Sequence, residues 1–219
     1  MNVVVGYDGS DFAMQALDWA MDEAELRKAT LLVAHTWSWP YGDADAEAKV
    51  HLRKAAEHVL WHGADCARAT SSLVRIETDL HEGHAAQRLV ELSAGADLVV
   101  VGSRGLSRLP SAMLGSVATY VAEHAECPVI VVRGPGPIPA SARPGPIAVE
   151  EASGGVLAFA FSEAELRGLP LAGRIPAVWR ERYPDVDVAE GKASLLVVGR
   201  EHARHVLRDS PCPVAVVAD

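Results

Sequence analysis

The chain has 219 residues, 49% hydrophobic and 22% charged, with a formal net charge of −9, which suffices for one large or two small cores. Acidic balance with only four lysines (Lys28, Lys49, Lys54 and Lys192) excludes a surface built to neutralise a nucleic-acid backbone. Three widely spaced cysteines, Cys66, Cys127 and Cys212, form neither a disulfide framework nor a metal-ligand rhythm, and no apolar run reaches membrane length. Because Met1-Asn2 leads straight into an apolar run, no signal peptide is expected, and the reading is a cytoplasmic protein with reduced cysteines.

In chain order, residues 3–5 predict a short buried strand ending at Gly6, and Asp8-Gly9-Ser10-Asp11 a turn and helix cap. Residues 11–28 carry an apolar stripe at Ala13, Ala16, Leu17, Ala20 and Ala24, the spacing of a helix. A strand is predicted over 30–37, a loop at Trp39-Pro40-Tyr41-Gly42-Asp43, a long helix over 44–70, a strand over 73–79 and a helix over 84–94. Leu98 to Val101 is a β-branched run of the kind buried on both faces of a sheet. It ends in Gly102, with Gly105 close behind. A helical stripe begins at Leu114, and Val129 to Val132 makes a last strand. This alternation predicts a five-stranded parallel sheet with helices on both faces.

The loop after Val101 carries the chemistry. Glycine lets the backbone turn and approach a ligand without a Cβ in the way. Gly115 and Ser116 stand where the next helix begins, so unpaired N–H groups and the positive end of the helix dipole point into one space. A phosphate suits that corner, and Ser116 is expected to cap the helix and offer its hydroxyl. The spacing Gly102-x2-Gly105-x9-Gly115-Ser116 resembles the ATP-binding signature of the universal stress protein family, as do Val3-Val4-Val5-Gly6-Tyr7-Asp8-Gly9-Ser10 and Cys127-Pro128-Val129. The resemblance covers residues 1–133.

It implies a Rossmann-like sheet of the adenine nucleotide alpha hydrolase type, with strand order 3-2-1-4-5, and an ATP site where strands 1 and 4 diverge. By matched position Asp8 lies near the adenosine, Val33 and Ala34 meet the adenine, and Gly102, Gly105, Gly115, Ser116 and Val117 cradle ribose and phosphates. Arg104 and Arg108 add positive charge on the present reading. Mg²⁺ is expected with the nucleotide. Where the family often has Ser or Thr two residues past Ser116, this chain has Ala118, followed by Thr119.

Residues 134–146, rich in Pro and Gly, predict a linker. Beyond it the chain repeats itself: Glu23-Ala24-Glu25-Leu26-Arg27 returns as Glu163-Ala164-Glu165-Leu166-Arg167, Val100-Val101-Gly102 as Val197-Val198-Gly199, and Cys127-Pro128-Val129 as Cys212-Pro213-Val214. The spacing between markers shrinks, so residues 147–219 are read as a truncated second domain. It lacks counterparts of Gly105 and Gly115-Ser116 and, at the offset of the first repeat, of the Asp8 turn as well. The family's strand-5 edges tend to pair, which predicts a pairing of the two such strands within one chain, with dimerisation of chains added.

Other constellations read as structural. His51, His58 and His62 share a helix face without an acidic partner; His81, His84, His202 and His205 are assigned to caps and solvent. Trp37 and Trp39 are assigned to packing. Ser153-Gly154-Gly155 lacks the following Asp-Ser of a pyrophosphatase loop, and Gly191-Lys192-Ala193 lacks a Walker motif's Ser or Thr. No nucleophile–base pair is recognisable around Ser103, so an ATP-binding regulatory protein is expected rather than an enzyme. The alternatives are a dimerisation scaffold without nucleotide and a slow ATP hydrolase.

Overall fold

A computed structural model describes residues 1–39, 46–105, 114–133 and 145–218. The β-branched runs become strands β1 (Asn2–Gly6), β2 (Thr30–Trp37), β3 (Ile76–Glu82), β4 (Leu98–Gly102) and β5 (Val129–Val132), alternating with helices α1 (Asp11–Arg27), α2 (Ala46–Thr70), α3 (Ala85–Ser93) and α4 (Ser116–His124). In the second half follow β6 (Ile147–Val149), α5 (Gly154–Arg167), β7 (Leu171–Ala172), α6 (Ala177–Arg182), β8 (Leu195–Gly199), α7 (Arg200–Asp209) and β9 (Val214–Val217). Among the described residues no helix is long and apolar enough to cross a membrane.

The nine strands of the described residues form one sheet of order β3-β2-β1-β4-β5-β9-β8-β6-β7. The first five keep the expected order 3-2-1-4-5, and every neighbouring pair is parallel except β5 and β9. There Val129, Ile130 and Val131 pair antiparallel with Val216, Ala215 and Val214. Both strands are buried throughout, so each covers an apolar edge that would otherwise invite association. The intrachain pairing expected from the repeat is therefore realised as a continuous sheet. Seen from the junction, β9-β8-β6-β7 repeats β5-β4-β1-β2, and in the position of β3 the described residues make only a single parallel bridge, Val188 to Leu171.

Two apolar layers run across the junction. On one face α1, α2 and α5 pack on Val3, Val5, Leu31, Val100, Ile130, Ile147, Val197 and Ala215; on the other, α3, α4 and α7 pack on Val4, Val99, Val131, Val198 and Val216. The repeated Glu-Ala-Glu-Leu-Arg segments meet in the first layer. Glu23 and Glu163 are fully buried. Arg27 binds both carboxylates and Arg167 binds both in return, while Trp19 Nε1 donates to Glu23 at 3.0 Å. Four charges that would be costly alone are thus mutually satisfied. On the opposite face Arg133 donates to the carbonyls of Leu207 and Arg208 at the end of α7, and Arg200 donates to Ala125 O at the end of α4, guanidinium groups meeting the negative ends of helices.

The caps show how the two halves correspond. Ser10 Oγ accepts from Ala13 N at 3.2 Å and Ser153 Oγ from Val156 N at 3.4 Å. At the other ends Lys28 (φ 52°) and Gly168 (φ 61°) both take the left-handed conformation that closes a helix. Matching the caps sets Glu151-Ala152-Ser153 against Asp8-Gly9-Ser10. This corrects the expectation that the Asp8 turn has no counterpart: α5 is shorter than α1 near its start, so an offset counted from its end misplaces the turn.

Other differences are local. The third strand begins at Ile76, after an 80% exposed Leu73, and extends to Glu82 beyond the predicted Asp79. The short elements β7 and α6 escape prediction for want of a full period, and α6 is held through Trp179 and Tyr183, stacked on buried Phe161. Cys127 and Cys212 are buried as expected, whereas Cys66 is half-buried on α2. Most of the predicted linker, and residues 40–45 of the loop after β2, lie outside the described residues.

Candidate functional site

Strands β2 and β4 flank β1 on opposite sides, so the connections leaving them diverge and open a crevice beyond the carboxyl ends. A cavity of about 340 Å³ lies there. Of the site residues expected from sequence, Asp8, Ala34, Gly102, Arg104, Gly105, Gly115, Ser116 and Val117 all line it; Arg108 lies outside the described residues. Val33 does not line it: its side chain is fully buried in the layer beneath α1 and α2, on the other face of the sheet.

The residue missed at that end is Thr36. Leu31 N and Trp37 O bond toward β3, whereas Thr30 N bonds to Met1 O and Ala34 O accepts from Tyr7 N at 2.9 Å. Alternation along a parallel ladder therefore turns the N–H and C=O of Thr36 to the β1 side as well. No strand flanks it there, because β1 ends at Gly6. A backbone donor and acceptor side by side thus open into the cavity. Counting in steps of two from Ala34 to the predicted strand end would have found them. The wall beneath is apolar, from Ala34, Leu89, Val101 and Ala118, and Arg88 closes the rim. The Arg88 guanidinium is fixed by Asp79 at 3.0 and 2.7 Å and by Glu91 at 3.0 Å.

At the opposite end α4 points its first turn into the cavity. Gly115, not Ser116, is the N-cap; Ser116 is the first helical residue and is exposed. Thr119 N makes the first bond to Gly115 O at 3.0 Å, which leaves the amides of Ser116, Val117 and Ala118 without intrahelical acceptors. Arg104 lies with its guanidinium 4.3 Å from the centre of the Phe12 ring, held beside the loop by a cation–π contact.

The glycines have different reasons. A Cβ on Gly102 would lie 2.6 Å from Phe12 O, so this residue lets the α1 backbone approach the strand. A Cβ on Gly105 would collide with Asp8 Oδ2, so Gly105 makes room for the carboxylate, whose Oδ1 accepts from Ser10 N at 3.0 Å. Gly115 has ordinary extended backbone (φ −69°, ψ 146°), and a Cβ there would meet nothing closer than 3.4 Å.

Tyr7 and His35 complete the lining. His35 Nδ1 donates to Tyr7 O at 2.8 Å, and burial lowers its pKa, so the ring is held neutral. The Tyr7 hydroxyl meets His62 Nδ1 at 2.8 Å and its pKa is raised, chiefly by burial. Its ring fits only because Gly63 has no Cβ, which would lie 2.7 Å from it. Ser103 is buried, bonded to Val132 O and Gly115 N through its backbone. Among the described residues one group with metal-ligand geometry occurs, Glu151, Glu201 and His202, far along the sheet from this cavity.

The profile of the universal stress protein family matches residues 1–133. Over 215 residues the chain is 35% identical to universal stress protein Rv2624c of Mycobacterium tuberculosis H37Rv, covering 85% of this chain and 75% of that one. A universal stress protein structure from Archaeoglobus fulgidus superposes with a TM-score of 0.76 over 99% of this chain and 96% of its own, at 16% identity, a likeness of fold alone. A universal stress protein crystallised in complex with cAMP superposes with a TM-score of 0.50 and 32% identity, over 61% of this chain and 97% of that one.

Proposed function

Since this chain belongs to the universal stress protein family, we propose that it is a nucleotide-binding regulatory protein that holds one ATP, with Mg²⁺, in the cavity of residues 1–133, while residues 147–219 form a truncated domain without a nucleotide site. The observation that carries the reading is the convergence at one switch point of two complementary ends. The Thr36 N–H and C=O match the acceptor–donor edge of adenine, and the amides of Ser116, Val117 and Ala118 match phosphate oxygens. Arg104 adds charge on the phosphate side. Asp8 is the carboxylate placed to reach a ribose or, through water, a phosphate-bound Mg²⁺. The volume of about 340 Å³ lies inside the range of roughly 300–1,000 Å³ usual for small-molecule sites.

The cAMP complex of the relative supports adenine nucleotides as the class and makes cAMP the first competitor to try. A regulatory role is favoured over catalysis because, among the described residues, no lining hydroxyl is hydrogen-bonded to a lining base, and Ser103, just behind β4, is buried. The strand-5 edge, which would otherwise serve a homodimer, is occupied within the chain by β9, so a pure dimerisation scaffold is the weaker reading. Mass spectrometry of small molecules released on denaturing the purified protein, followed by calorimetric titration with MgATP, tests the proposal. One site per chain is expected. Absence of binding refutes the nucleotide reading, and two equivalent sites refute the division between the halves.

A further inference from the structure

The wall of the cavity holds a polar atom without a partner in the described residues. His35 follows Ala34 on β2 and stands just beyond the last β1 pairing, that of Gly6 with Ala34. Its Nδ1 is used on Tyr7 O at 2.8 Å. A carbonyl only accepts, so the proton sits on Nδ1, and in the neutral ring Nε2 is left as an acceptor. Among the described residues nothing bonds to Nε2, and the atom is not sealed from solvent. The residue lines the cavity, so an open acceptor stands at its wall.

The neighbours of His35 say which part of the cavity this is. Thr36, next in the chain, presents the backbone pair read as the base end. Tyr7, to which the imidazole is tied, precedes Asp8, whose carboxylate is close enough for its charge to act on the ring. Asp8 in turn touches the glycine loop at Gly105. His35 and Asp8 therefore lie between the base end and the phosphate end, where a nucleotide carries its sugar. Both groups are acceptors. An ionised phosphate, which offers only acceptors, is unfavourable against them, whereas a sugar hydroxyl donates to either. The 2′-hydroxyl is borne by the carbon next to the one holding the base, so it is the hydroxyl nearer to Thr36 and His35.

We propose that His35 determines sugar specificity at this site: its Nε2 accepts a hydrogen bond from the 2′-hydroxyl, so the cavity selects ribonucleotides over 2′-deoxyribonucleotides. The inference rests on reading the cavity as a nucleotide site. An analogue without the hydroxyl leaves the imidazole acceptor covered and unpaired, and that loss falls on affinity.

Calorimetric titration of the full chain with MgATP and with its 2′-deoxy and 3′-deoxy analogues tests it. In the wild type 2′-deoxy-ATP should bind more weakly than ATP by about tenfold or more. In His35→Asn the side-chain amide stands close to the place of Nδ1 and keeps the bond to Tyr7 O, but no atom reaches the place of Nε2. There ATP affinity falls to near that of 2′-deoxy-ATP, whose own affinity is unchanged, and the 3′-deoxy penalty stays as in the wild type. A purely structural His35 would weaken all three nucleotides together and keep their ratios, which overturns the proposal. Equal binding of ATP and 2′-deoxy-ATP by the wild type overturns it as well, whether or not the variant folds. Should His35→Asn not fold, His35→Phe supplies a ring without the acceptor. If none of the three nucleotides binds, the nucleotide reading itself fails; if ATP and 2′-deoxy-ATP bind alike, only this inference does.

Discussion

Arg27 on α1 donates to the carboxylate of Glu163 on α5, across the line where the two halves of the chain meet. Arg167 returns the contact to Glu23, so the repeated pentapeptide is also the interface that joins its two copies. Segments related by a pseudo-twofold axis place identical residues opposite one another, and a Glu–Arg pair four residues apart is complementary to itself in that arrangement.

Removing one member should cost far more than the pair is worth, because it leaves a buried charge uncompensated. Arg167→Met is expected to destabilise by about 3–5 kcal/mol in urea denaturation, whereas exchanging the exposed Arg68, paired with Asp65 at the surface, should change stability by less than about 1 kcal/mol.

The same cluster gives a pH dependence. Burial, and then repulsion from Glu23, push the Glu163 carboxyl up to about 7. A carboxyl whose folded pKa is raised binds more protons folded than unfolded, so its contribution to stability is greatest below the ordinary carboxylate range and declines as pH rises to about 7. Melting temperature measured between about pH 5 and pH 8 should carry this downward component, and Glu163→Gln should flatten it while lowering stability at every pH. An unchanged profile in that variant would refute the assignment.

At the cavity, Thr36 and Val33 should separate binding from stability. Thr36→Pro deletes the N–H that faces the cavity together with the side-chain hydroxyl, and Thr36→Val removes the hydroxyl alone; ATP affinity should be about tenfold or more lower in the proline than in the valine variant, the loss of one buried hydrogen bond, with little difference in melting temperature. Val33→Ala, on the opposite face, should cost about 2 kcal/mol of stability and leave the affinity of the folded protein unchanged. Calorimetry and thermal denaturation on these variants read the two effects apart.

Gly105 and Gly115 should likewise differ. Gly105→Ala drives a methyl group into the Asp8 carboxylate and is expected to reduce ATP affinity markedly, whereas Gly115→Ala, in extended backbone with room for the Cβ, should bind within a factor of about three of wild type.

Truncation after Arg133 should uncover the β5 edge and the apolar layer beneath α5. Increased self-association by light scattering, with ATP affinity retained, is expected; loss of ATP binding in folded truncated protein would make the second half part of the site.

The local elements around the site were readable before the structure because each is dictated by short-range physics. A β-branched run fills a strand buried on both faces, Ser10 caps α1, and glycines mark the turn after Val101. Val33, expected at the adenine, turns its side chain to the other face of β2: alternation alone does not say which face meets the cavity, and a one-residue change of phase moves a side chain across the sheet. The reason for each glycine was also hidden. Phe12 and Asp8, whose atoms exclude a Cβ at Gly102 and Gly105, are distant in sequence and adjacent only after folding.

By itself the sequence determined the strand–helix alternation, the strand order through family resemblance, the glycines at the head of α4, and the recurrence of short segments beyond residue 146. Those features follow from patterns of a few residues. Only the tertiary structure decided that the halves share one sheet through β5 and β9, that the repeated Glu and Arg residues neutralise each other in the interior, and that Thr36 faces the cavity. Each of these depends on partners brought together across more than 80 residues, or on the register of a strand. Hydrophobic pattern sets which residues are buried, but not which of them meet.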